Sequence, residues 1–163
     1  MNNTAENIAL QVITQAELLQ HWQGHRNLTR RVIEKFPENE FFTYSIGGMR
    51  TFAELTMEMM GIAGPGIKGF VTGKWEALSE HFDHGHKKEN ILKKWDETTA
   101  EINNYWEQIP LEKFHETVTV FGQYTGTVYS HILYYIDNEI HHRGQGYVYL
   151  RSLNIEPPYF WER

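Results

Sequence analysis

Apolar positions recur at helical spacing in four stretches of the chain, and polar residues mark where each begins and ends. In the first, Leu18, Trp22, Leu28, Val32, Ile33 and Phe36 form the stripe. Thr14-Gln15-Ala16-Glu17 reads as a capping box ahead of it, and Pro37 stops the helix near Phe36. A second capping box, Thr51-Phe52-Ala53-Glu54, opens the stripe Phe52, Leu55, Met59 and Ile62. Pro65, between Gly64 and Gly66, predicts a break or kink there, with helical character resuming from Ile67 to Trp75. Ile91, Trp95, Ile102, Trp106 and Ile109 mark the third helix, which ends before Pro110. The fourth spans about Thr127 to Leu153, with Asn154 as a left-handed cap and Pro157-Pro158 preventing continuation.

The connections 37–50, 76–89 and 110–125 are long, so neighbouring helices need not be joined as simple hairpins. Residues 116–121 have β propensity but are too few to support a sheet alone. Tyr159-Phe160-Trp161 is apolar enough that it is expected to pack back on the bundle. Four long helical patterns without an internal repeat predict an all-α four-helix bundle, as a single domain over residues 1–163.

Composition narrows the chemistry. There are no cysteines, which excludes disulfides, thiolate metal sites and cysteine nucleophiles. The chain carries 15 basic and 21 acidic residues and no long Lys/Arg run, so a nucleic-acid surface is not expected. The N-terminus lacks the basic start and apolar core of a signal peptide, and no apolar run approaches the ~20 residues of a membrane span. The expectation is a cytoplasmic protein with no membrane partner.

Candidate chemistry gathers on the fourth helix. His131, Tyr135, Asn138, His142, Gln145 and Tyr149 follow one helical stripe. Asn138 and His142, four residues apart, can converge on one atom. His131 lies about 16 Å along the axis from His142 and cannot share an ion with it. His141 points about 100° away, towards solvent or a neighbouring chain. Glu139 and Arg143 are placed to pair on the helix exterior. On the second helix, Glu54 is explained by capping, whereas Glu58 sits among Met57, Met59 and Met60. It either faces solvent or is drawn into a site. His21 and His25 read as surface or boundary residues flanking Trp22. His81, His84 and His86 read as part of a flexible surface loop.

Glu139–Gln145 (EIHHRGQ) and Tyr147–Pro158 (YVYLRSLNIEPP) resemble the closing motif of the DinB-like (YfiT-like) metalloprotein family. The tryptophan-bearing first helix, Gly48–Leu55 (GMRTFAEL) and the V-x-V-F-G of Val118–Gly122 extend the resemblance over most of the chain. It implies an up-down-down-up four-helix bundle, a homodimer, and a divalent metal held by three histidines, one from the second helix and two from the fourth. Relatives include thiol-dependent transferases and isomerases, and members catalogued as metal-dependent hydrolases. Position by position, the ligands fall on Glu58, Asn138 and His142, so two of the three histidines are replaced. Two readings follow. Glu58, Asn138 and His142 hold a divalent metal (Zn, Ni, Mn or Fe) in a hydrolase or thiol-dependent transferase, with Tyr135, Gln145 and Tyr149 near a small-molecule substrate or thiol cofactor. Alternatively Glu58 pairs with protonated His142, Asn138 hydrogen-bonds the pair, and the protein is a metal-free ligand-binding or dimeric interaction protein.

Overall fold

Both capping boxes close as the sequence predicts. The structure, a computed structural model, describes residues 12–163. Helix α1 (Gln15–Lys35) starts where the Thr14 side chain accepts from the Glu17 amide and the Glu17 carboxylate accepts from the Thr14 amide. Thr51 and Glu54 do the same for α3 (Phe52–Thr72). A short helix, α2 (Glu38–Thr43), fills part of the first connection and sets Phe41 edge-on against the stacked rings of Phe36 and Phe52. The remaining elements are α4 (Lys88–Trp106), a 3-10 turn at Leu111–His115, strands β1 (Thr117–Val120) and β2 (Tyr124–Thr127), and α5 (Val128–Ser152). Asn154 follows α5 at φ 60°, the expected left-handed cap.

Contacts between helices set their directions. Gln15, Arg26 and Arg30 of α1 meet Trp106, Thr99 and Asp96 of α4, an antiparallel pairing. Trp22 and His25 meet Glu139 and Arg143 of α5, a parallel pairing. Gly66 and Glu58 of α3 lie against Tyr135 and His142 of α5, antiparallel again. The result is the up-down-down-up four-helix bundle. Leu18, Trp22, Ile67, Trp106, Ile132 and Ile136 fill one end, and Val32, Phe36, Phe52, Met59, Trp95 and Leu150 fill the other. Polar side chains cross the bundle between these two cores. Among the described residues, no helix is long and apolar enough to cross a membrane.

Three expectations are corrected. Pro65 does not break α3, which runs unbroken from Phe52 to Thr72. The missing amide hydrogen bond and ring clash cost about 3 kcal/mol in a helix interior. However, Leu55, Met59 and Ile62 before the proline and Ile67 and Phe70 after it are buried on the same bundle, and that packing holds both halves in line. Residues 117–127 form a two-stranded antiparallel hairpin, Thr117 opposite Thr127. It stands because Val120 at the end of β1 and Phe121 in the hairpin turn pack into the core. The aromatic tail does not pack back: Tyr159 is 49% exposed and Phe160 and Trp161 63% each. The tail is tied to α1 by its polar residues instead, Glu162 to Arg31 and Arg163 to His25.

Gly146 on α5 lies where the Phe52 ring approaches, and a Cβ there would come within 2.4 Å of the ring. Gly146→Ala is therefore expected to destabilise the protein by about 1–3 kcal/mol through overpacking, despite alanine's better helix propensity. Urea unfolding measures it; an unchanged or raised midpoint would contradict this packing.

Candidate functional site

Two neighbouring rows on α5 face different helices. Asn138 and His142 turn towards α3, and Glu139 and Arg143 turn towards α1. The first row meets Glu58. Its Oε1 accepts from Asn138 Nδ2 at 2.9 Å and lies 3.0 Å from His142 Nε2. The other imidazole nitrogen, Nδ1, lies 2.7 Å from Gln145 Oε1. Glu58 is thus drawn inward, with its side chain 14% exposed. Asn138 Oδ1 is buried without a partner.

Arg50 completes the group, and nothing in the residue pattern pointed to it. It precedes the α3 capping box, and its guanidinium donates to Glu58 Oε2 and, at 3.4 Å, to Glu80. Tyr149 explains its position: the hydroxyl donates to the Arg50 carbonyl at 2.7 Å. Tyr149 therefore holds the Arg50 backbone, and it is not among the residues that line the adjoining cavity. Gln145 likewise braces His142 and donates towards Met49 Sδ at 3.7 Å. Of the three expected pocket residues, Tyr135 alone lines the adjoining cavity.

That cavity measures about 580 Å³. Arg50, Glu58 and Glu80 form one wall, and Phe121, Tyr124 and Tyr134 form much of another. Tyr135 is 3% exposed, and its hydroxyl has no hydrogen-bond partner. A Cβ at position 66 would sit 2.5 Å from that hydroxyl, so Gly66 is what lets the tyrosine lie against α3. Burial pushes the Tyr135 hydroxyl well above its ordinary range, so it is a neutral donor. His131 lines the same cavity, apart from His142, with Nε2 3.4 Å from the Val118 carbonyl.

The second row corrects another expectation. Glu139 and Arg143 are not an exterior pair; they are 2% and 6% exposed. Glu139 accepts from Thr29 Oγ1 at 2.7 Å and Trp22 Nε1 at 3.2 Å, and pairs with Arg26 at 3.5 Å. Arg26 lies over the Trp95 ring, 3.8 Å from its centroid. Arg143 donates to the His25 carbonyl and to its Nδ1. Nε2 of the same ring lies 3.2 Å from His21 Nε2 and 3.0 Å from an Arg163 guanidinium nitrogen. Histidine 25 is buried, not the surface or boundary residue expected. Burial, reinforced by Arg143, His21 and Arg163, pulls its pKa down to about 3. His141 is exposed, as expected.

The donors fit a resident metal poorly. Glu58 Oε1 already receives two hydrogen-bonding groups, and Oε2 receives a guanidinium that would repel a cation. Burial pushes the Glu58 carboxyl up, but hydrogen bonds from Asn138, Arg50 and His142 together hold it below its ordinary range. Asn138 Oδ1 is the one unengaged donor atom, and an amide oxygen binds softer divalent metals weakly. Among the described residues, no three His, Cys, Asp or Glu side chains come together to hold an ion.

Comparison with known proteins agrees with this fold. The chain matches the DinB family over residues 1–162. A DinB-like protein from Bacillus cereus is similar at TM-score 0.72 and 14% identity, over 88% of this chain and 95% of that one. A DinB-like protein from Bacillus subtilis is similar at TM-score 0.68 and 17% identity, over 90% and 99%. The mycothiol-dependent maleylpyruvate isomerase is similar at TM-score 0.57 and 13% identity, over 82% of this chain and 61% of its own. No curated protein matches the chain.

Two outcomes follow from the buried row. Glu139→Ala leaves Arg26 without its counter-charge and is expected to cost about 3–5 kcal/mol, against at most about 1 kcal/mol for Asp96→Ala at the exposed Arg30 pair. Chemical denaturation of the two variants compares them, and equal losses would contradict the assignment. The folded state also keeps His25 neutral down to about pH 3, whereas the unfolded chain protonates it near ~6.5. Between those values the unfolded chain binds more protons, so stability falls as pH drops. Unfolding free energy measured from pH 7 to 4.5 should decline less steeply in His25→Gln than in the wild type.

Proposed function

The chain belongs to the DinB family, and on that premise we propose that it binds a small organic cation with an apolar body, without a resident metal. The observation that carries this reading is the cavity wall in which Glu58 and Glu80 flank the single guanidinium of Arg50. Two carboxylates against one cation leave a net negative wall, which favours a positively charged group. Tyr124, Tyr134 and Phe121 also line the cavity, and aromatic rings there offer a cation both apolar contact and an electron-rich surface. The Tyr135 ring adds to the lining of the same cavity. Asn138, His142 and Gln145 act from behind, holding Glu58 and its imidazole neighbour in place.

A metal-dependent hydrolase or thiol-dependent transferase is the second reading, and the unengaged Asn138 Oδ1 beside Glu58 favours it. It requires Arg50 to leave Glu58, because the guanidinium occupies the carboxylate oxygen a metal would use.

Calorimetric titration with phenethylamine, 3-phenylpropionate and 2-phenylethanol tests the proposal. The amine is expected to bind tightest, and Glu80→Gln, in the 73–87 connection, is expected to weaken it about tenfold, the loss of one partly screened charge pair. Preference for the carboxylate, or no binding at all, would overturn it. Elemental analysis of untagged protein, wild type and Arg50→Ala, separates the second reading. Stoichiometric zinc, nickel, manganese or iron in the wild type would establish a metal centre in place of the metal-free site.

A further inference from the structure

The cavity beside Glu58 also holds a histidine that the binding of a cation does not use. His131 lines it, 8% exposed and stacked against Phe70 with 6.3 Å between ring centroids. The β1–β2 hairpin fixes that ring. Val118 and Gly126 stand opposite each other in the hairpin. The Val118 carbonyl lies 3.4 Å from Nε2, and a Cβ on Gly126 would come within 3.3 Å of the same atom. A carbonyl only accepts, so Nε2 carries the proton, and a neutral imidazole of that tautomer accepts at Nδ1. Nδ1 has no hydrogen-bond partner among the described residues, and unlike the Tyr135 hydroxyl it is not sealed from solvent.

On the cation reading above, the geometry points to a hydroxylated aryl-alkyl amine as the ligand, its ammonium at Glu58 and Glu80 and its phenolic hydroxyl donating to His131 Nδ1. Distance selects this class. Glu58 Oε1 lies 2.9 Å from Asn138 Nδ2 and 3.0 Å from His142 Nε2, so it stands level with the turn of α5 between them. His131 precedes that level by about nine residues, or about 13 Å along the helix. In a 4-hydroxyphenethyl amine the nitrogen and the hydroxyl oxygen are about 8 Å apart, and hydrogen bonds of about 2.8 Å at both ends extend its reach to about 13 Å. A shorter amine leaves one end unmet.

The rest of the lining suits the ring of such a ligand. Ile62, one turn after Glu58 on α3, lines the cavity with Leu78, Val120 and Phe121. Tyr135 lies between His131 and Asn138 on α5 and lines it too. A carboxylate at the His131 end would set an acceptor against an acceptor, and an alkyl terminus would leave the imidazole nitrogen unpaired, which lowers affinity. A second ammonium could donate there, but it would lose its water against apolar side chains. Both carboxylates of the lining, Glu58 and Glu80, are gathered at Arg50 and leave it no counter-charge. A phenol donates without a charge to desolvate.

Calorimetric titration of the full chain with tyramine, 4-methylphenethylamine and phenethylamine tests this. Tyramine and its methyl analogue match in size and charge and differ in the hydroxyl. Tyramine should bind about fivefold more tightly than either of the others, the gain from one hydrogen bond between neutral groups. His131→Phe keeps an aromatic ring against Phe70 but has no acceptor. In that variant tyramine and the methyl analogue should bind within about twofold of each other. The wild-type comparison stands whether or not the variant folds. Equal binding of tyramine and 4-methylphenethylamine by the wild type, or an undiminished preference in folded His131→Phe, would overturn the phenol assignment and leave the cation reading in place. Failure of all three amines to bind would overturn both.

Discussion

Glu139 is the constraint from which the rest of the bundle follows. A carboxylate this buried is tolerated only where partners replace water, and it has Thr29, Trp22 and Arg26. Arg26 is committed in turn to Thr99, to the Trp95 carbonyl and to the face of Trp95. One side chain on α5 thereby specifies the register of α1 against both α4 and α5. Sliding α5 by one turn would leave a carboxylate and a guanidinium unpaired inside the protein, a loss comparable with a large part of a domain's net stability. The apolar cores on either side add to the constraint, since Phe52 packs against Gly146 and Tyr135 against Gly66 only in this register.

The same register aims the neighbouring row. With Glu139 and Arg143 turned to α1, Asn138 and His142 must face α3, where Glu58 waits two turns into the helix. Glu58 is held from three directions, and Arg50 is held over it by the Tyr149 hydroxyl. The site is therefore a set of hydrogen bonds centred on Glu58, open only at Asn138 Oδ1, with one charged edge on a cavity that Tyr135 also lines; the tyrosine fits there because residue 66 has no side chain.

Glu58 is held by an amide, an imidazole and a guanidinium of its own chain. Its negative charge recruits Arg50, so an internal cation engages one carboxylate oxygen while Asn138 and His142 engage the other. That pairing explains why Arg50, absent from the closing motif, becomes part of the site.

The residues alone determined the helices and their ends: both capping boxes, the stop at Pro37, the cap at Asn154 and the four apolar stripes all depend on neighbours within a few positions. Resemblance in the closing motif carried the family, and helical spacing placed Asn138 beside His142. Tertiary structure decided whatever depends on which face another helix covers. Glu139 and Arg143 read as an exterior pair because four-residue spacing says nothing about burial, and α1 buries them. Pro65 read as a break because its local cost is plain while the packing that offsets it is distant in sequence. Tyr149 read as one member of a helical stripe, and only the folded chain brings its hydroxyl to the Arg50 carbonyl. Arg50, eight residues before Glu58 and outside the helix, had no periodic signal at all, since its role arises from a turn whose path only the folded chain defines.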